Sequence, residues 1–120
     1  MSRVLVCGGR DYENRTMVYH WLDSMHSRIC ITQIIEGGAK GADRLALDWA
    51  ILRGVEVHTF CADWDIHGKA AGHIRNQKML DDGKPDMVIA FPGGAGTANM
   101  IRLARKAGIP VITTDTKANQ

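Results

Sequence analysis

Apolar positions in this chain follow two rhythms that alternate along its length. Short apolar, β-branched runs occupy 3–8 (RVLVCG), 30–37 (CITQIIEG), 54–62 (GVEVHTFCA), 86–91 (DMVIAF) and 108–114 (GIPVITT). Between them the spacing is helical. Met17, Trp21 and Met25, with Leu22 beside them, share a stripe in 14–28, and Leu45, Trp49 and Leu52 share one in 42–53. Over 98–107, Met100, Leu103, Ala104 and Ala107 point inward while Arg102, Arg105 and Lys106 point outward. A weaker pattern predicts a further helix over 69–82. Five strands alternating with four helices predict an α/β fold: an open parallel five-stranded sheet with helices on both faces. Right-handed crossovers favour strand order 3-2-1-4-5.

Composition narrows the setting. The 120 residues, 45% hydrophobic, suffice for one core and one domain over 1–115, with 116–120 as a flexible tail. Fifteen basic and 13 acidic residues leave a net charge of +2, which argues against nucleic acid or a membrane surface as partner. The first apolar run is too short for a signal peptide, and no segment reaches membrane-spanning length, so the expected location is cytoplasmic. Cys7, Cys30 and Cys61 lie in or beside apolar runs, and their odd number favours buried, reduced thiols. No Cys/His pair has zinc spacing, and no metal is expected.

The strand order locates a candidate site. The chain reverses between the first and fourth strands, and in such sheets ligands collect at the carboxyl ends beside that reversal. The loops there read CGGRDY, EGGAKGAD and PGGAGT, and they hold most of the thirteen glycines. The candidate ligand-binding residues are Gly8, Gly9, Arg10, Asp11 and Tyr12; then Glu36, Gly37, Gly38, Lys40, Gly41 and Asp43; then Pro92, Gly93, Gly94, Gly96, Thr97 and Asn99. Glycine reaches positive φ without steric cost and admits a ligand to the backbone. Successive N–H groups form an anion nest, reinforced by the helix that follows. Thr97 is placed to cap that helix, and Asp43 to cap the one beginning near Arg44. Any one of these loops alone is equally an ordinary turn. Lys40 lacks the G-x-x-x-x-G-K-[ST] context of a phosphate-loop lysine.

Taken in order, GGRDY, EGGAKGADRLA, ADWDIHGKAAGHIRNQKM and AFPGGAGTANM resemble the small YspA/YpsA-like branch of the SLOG superfamily, over roughly residues 3–113. PGGAGT resembles that superfamily's PGGxGT signature. The resemblance implies a Rossmann-like domain that binds a nucleotide or nucleotide-derived molecule, often as a homodimer or higher homo-oligomer. Its LOG members are phosphoribohydrolases, splitting a nucleoside 5′-monophosphate into base and ribose 5-phosphate. Residue by residue, HIR supplies His73 and Arg75, with Arg75 at the position of the catalytic arginine. The acidic pair that follows PGGxGT is replaced by Asn99 and Met100. N-glycosidic cleavage needs a carboxylate for its oxocarbenium-like state or its water, and methionine supplies neither.

Other carboxylates stand near by: Asp11, Glu36, Asp43, Asp63 and Asp65. Glu36, before a glycine pair, also suits ribose hydroxyls. Segment 62–79 adds Lys69 and Arg75 as phosphate partners, Asn76 as a polar reader and Trp64 as a stacking platform or a core-closing side chain. Three functions stay open. The first is a binder of a nucleotide-derived molecule (sensor, carrier or sequestering protein) that requires no other cofactor. The second is a nucleotide phosphoribohydrolase using Arg75 with Glu36 or Asp11. The third, single-stranded DNA binding, is opposed by the near-neutral charge and few aromatics.

Overall fold

A computed structural model describes residues 2–114, so the predicted tail at 116–120 lies outside the described residues. Five strands form one parallel sheet: β1 (Ser2–Cys7), β2 (Ile31–Glu36), β3 (Glu56–Thr59), β4 (Met87–Ala90) and β5 (Val111–Thr113). Their order is β3-β2-β1-β4-β5, the order predicted above. The helices are α1 (Arg15–Ile29), α2 (Ala42–Arg53), α3 (Trp64–His67), α4 (Ala71–Asp81) and α5 (Ala95–Lys106), with a 3-10 turn at Gly68–Ala70.

Alternation along the central strand builds two cores. Val4 and Val6 face one side with Ile34, Ile89 and Phe91, and there they meet Val18 and Leu22 of α1 and Leu45 and Trp49 of α2. Leu5 and Cys7 face the other side with Ile35 and Val88, against Met79 of α4 and Met100 and Ala104 of α5. A strand covered on both faces must be apolar throughout, which explains the unbroken run VLVC. Asn14 caps α1 through its side chain, which accepts from the Met17 N–H at 3.0 Å. The two helices on the first face are joined through Asp23, which accepts from Trp49 Nε1 and from Arg53 Nε, each at 2.8 Å.

Three expectations need correction. Leu52 does not share the buried stripe of α2: it is 63% exposed beside Ile51, in the last turn of the helix, where the buried residues end at Ala50. Cys30 and Cys61 are exposed and only Cys7 is buried, although all three thiols are free. The stretch around Trp64 is not a loop but one helical turn, closed by Asp63 Oδ1 accepting from the Ile66 N–H at 3.1 Å. No helix among the described residues is long and apolar enough to cross a membrane.

Candidate functional site

The loops after β1, β2 and β4 leave the sheet on the same edge and are bonded to one another. Gly9 N–H donates to the Pro92 carbonyl at 2.8 Å, and Gly9 in turn accepts from the Ala42 N–H at 3.2 Å. Beyond them opens a cleft of about 1180 Å3. Its walls carry Gly8, Gly9, Arg10, Asp11 and Tyr12 from the first loop and Gly37, Gly38, Lys40 and Asp43 from the second. From the β4–α5 side come Pro92, Gly93, Gly94, Gly96, Thr97 and Asn99, and from the α3–α4 segment Trp64, Lys69, Arg75 and Asn76. Trp64 is 57% exposed, so it closes no core and presents its indole at the rim.

Two predicted residues are absent from these walls. Glu36 is 1% exposed, and both its oxygens are used internally: Oε1 accepts from the Gly38 N–H at 2.6 Å and Oε2 from the Thr59 hydroxyl. The end-of-strand acid therefore orders its own loop rather than reaching a ligand. Gly41 backs onto the first loop instead of facing the cleft.

The predicted helix starts also shift. α5 begins at Ala95 with Gly94 as its cap, which puts buried Thr97 inside the first turn rather than at the cap. α2 begins at Ala42, and Asp43 reaches back out of it instead of capping it. Asp43 Oδ2 accepts from the Gly37 and Ala39 N–H groups at 3.1 and 3.3 Å. Between them, Glu36 and Asp43 thus occupy three successive N–H groups of EGGAKGAD, and this loop is no empty nest. PGGAGT differs. Among the described residues, none of the N–H groups of Gly93 to Thr97 finds an acceptor, and they gather at the start of a twelve-residue helix. The glycines of the two loops differ as well. Gly38 and Gly41 hold φ near +75°, whereas Gly94 lies at −101° and Gly96 is helical.

A chain of polar side chains crosses the cleft floor. Arg75 Nη1 donates to the Gly37 carbonyl at 2.6 Å, and its Nε donates to Asn76 Oδ1 at 3.0 Å. Asn76 Nδ2 then reaches the Gly96 carbonyl at 3.2 Å and Asn99 Oδ1 at 2.9 Å. Asn99 Nδ2 lies 2.9 Å from His73 Nδ1. Arg75 forms no close ion pair among the described residues, although its charge acts on the Asp43 carboxyl across Gly37. Met100, where the LOG enzymes that PGGAGT resembles carry an acid, is fully buried in the α4–α5 core. His73 also lines the cleft without having been counted among the candidates, although its place three before Asn76 on α4 signals it.

Two titratable groups on the floor are strongly perturbed. Burial above all, with the Asp43 charge second, pushes the Cys7 thiol up to about 12, which leaves it an inert wall. Burial also pushes the Asp43 carboxyl up to about 6; the Ala39 and Gly37 N–H groups and Arg75 oppose the rise, and Glu36 adds to it. A carboxyl raised from 3.8 to about 6 binds its proton better folded than unfolded, so stability is lost as pH climbs through that window. At pH 8 the full penalty, on the order of 3 kcal/mol, is in force. Asp43→Asn is therefore expected to raise the melting temperature at pH 8 by several degrees and by much less at pH 4, as calorimetric melts at the two pH values would show. An equal change at both would contradict the assignment.

The family model for YspA, cpYpsA-related SLOG proteins (YAcAr) matches residues 2–67. The Gene 61 protein of Mycobacterium phage D29 is 42% identical over 120 residues, covering 93% of this chain and 95% of the relative. The chain belongs to the YspA/cpYpsA-related SLOG family. The family span takes in the first two glycine loops and α3; PGGAGT and the Arg75–Asn76 pair lie beyond it. The phage relative's name states no activity.

Proposed function

We propose that this protein captures a nucleotide or nucleotide-derived small molecule, as sensor, carrier or sequestering protein, and seats its phosphate at the start of α5. The observation that carries this reading is the run of N–H groups from Gly93 to Thr97 without acceptors among the described residues, on the cleft wall that Arg75 also lines. A helix start presents about half a positive charge to such a group, and the guanidinium near by adds its own. The rest of the cleft has room for a base and sugar, with Trp64 at the rim as a stacking surface. The three free thiols suit a reducing, cytoplasmic compartment.

Binding without hydrolysis is the better-supported reading. Met100 is locked in the core, Asn99 is an amide held by Asn76 and His73, and Glu36 is turned inward. The alternative of N-glycosidic hydrolysis retains one specific support, the Asp11 and Asp43 carboxylates on the wall of the cleft that Arg75 also lines. Incubation with AMP, GMP, CMP and UMP separates the two. Little or no free base is expected; turnover on the order of 1 s⁻¹ would overturn the binder reading.

A further inference from the structure

The second glycine loop shows how the cleft treats the part of a ligand that lies away from the phosphate. Its first three N–H groups, those of Gly37, Gly38 and Ala39, are already filled by Asp43 and Glu36, so they offer an anion nothing. What the loop offers instead is an acceptor. Asp43 is 6% exposed, and both of its hydrogen bonds fall on Oδ2. Oδ1 has no partner among the described residues, yet it is not among the enclosed unpartnered atoms; it opens on the cleft that Asp43 lines. A charged side chain more than nine-tenths buried thus keeps one bare oxygen toward the ligand space. Arg75 stands beside it: a Cβ at Gly37 would lie 2.6 Å from Arg75 Nη1 and 3.0 Å from Asp43 Oδ2. The two side chains are therefore anchored by the same loop residue, Gly37, whose N–H donates to Asp43 and whose carbonyl accepts from Arg75.

We propose that Asp43, with Arg75 beside it, is the seat for vicinal hydroxyls of the ligand's sugar and makes the cleft selective for ribose over hydroxyl-free sugars. This rests on the nucleotide reading above and assigns the sugar end of the same site. A bare carboxylate oxygen accepts hydroxyl hydrogens, while the guanidinium donates to hydroxyl oxygens, and a diol supplies both partners. A second phosphate is the wrong occupant, because it would meet an acceptor already carrying charge. Glu36, the end-of-strand acid whose position suggested this role, is replaced in it by a residue seven positions later that the helix start holds toward the cleft.

Selectivity of this kind depends on charge. The groups facing Asp43 are Cys7 from β1, Glu36 from β2 and Arg75 from α4; burial and Glu36 disfavour its ionised form and Arg75 favours it. Hydroxyl donors favour the ionised form, so the preference is full above pH 6 and fades as pH falls through it.

Calorimetric titration with AMP and with 2′,3′-dideoxy-AMP tests this directly. Wild-type protein at pH 8 is expected to prefer AMP by about tenfold. That ratio should shrink toward one at pH 5, and also at pH 8 in Asp43→Asn. Both nucleotides carry the same phosphate, so its own ionisation near pH 6 cancels in the ratio. The pH series uses only wild-type protein and stands whatever the stability of the variant. Equal affinity for the two nucleotides at pH 8, or a ratio unchanged by pH and by Asp43→Asn, would overturn the sugar seat and leave the phosphate seat intact. Failure of wild-type protein to bind either AMP or inorganic phosphate would overturn both.

Discussion

Gly41→Ala is expected to destabilise the protein by about 3 kcal/mol or more, a large fraction of the stability of a domain this size. Gly41 sits at φ +75°, which alone costs an alanine about 1 kcal/mol. Space is the larger problem. A Cβ there would lie 2.1 Å from the Gly9 carbonyl oxygen and 2.7 Å from the Arg10 carbonyl carbon. Both are backbone atoms. Gly9 cannot retreat cheaply, because its carbonyl accepts from Tyr12 and Ala42 and its N–H is committed to Pro92. The contact that joins the first loop to the second would have to open. Urea unfolding reads the cost, and a loss under about 1 kcal/mol would mean that the loops are not packed as described.

Gly94→Val and Gly96→Val are expected to do the opposite, leaving the fold intact and removing the ligand. A Cβ at either position meets no heavy atom within 4 Å among the described residues, and neither glycine lies in the left-handed region. The stability change should stay within about 1 kcal/mol, the scale of helix propensity. The open space around these two positions is the proposed seat of the phosphate, and a valine fills it. Losing two charge-assisted N–H contacts corresponds to a drop in nucleotide affinity of about 100-fold or more. Calorimetry that finds both variants binding like wild type would make these glycines mere turn residues. Gly93 is a different case: a Cβ there would come within 2.2 Å of Thr97 Oγ1 and 2.6 Å of the Gly9 nitrogen, so its substitution confounds fold with binding.

The contrast among these glycines measures how far sequence could be read. Strand order and the convergence of the three loops were legible, because each buried strand is an apolar run ended by glycine and the helical stripes between them set the crossovers. Which glycine packs and which stays open was not legible, since that depends on atoms brought from another loop. Glu36 was read as a ribose acid because it ends a strand before a glycine pair. Its actual partner, Thr59, comes from β3, 23 residues away, and no local pattern announces it. Asp43 was read as a cap because an acid at a helix start usually is one; reaching back to Gly37 and Ala39 leaves the same sequence signature. The turn at Trp64–His67 escaped because four residues carry no periodicity, and only the Asp63 cap fixes it. The shift of α5 to Ala95 escaped because AGTA has no apolar stripe, although its small residues are what leave the helix start open.

Titrating uniformly 15N-labelled protein with AMP while following the backbone amide signals tests the central claim most directly, because it reads each N–H group separately. The largest shifts are predicted at Gly93, Gly94, Ala95, Gly96 and Thr97, whose N–H groups have no acceptor among the described residues. Gly37, Gly38 and Ala39, already bonded to Asp43 and Glu36, should move much less. A titration in which the second loop moves most, or in which AMP shifts no amide at the start of α5, would contradict the account.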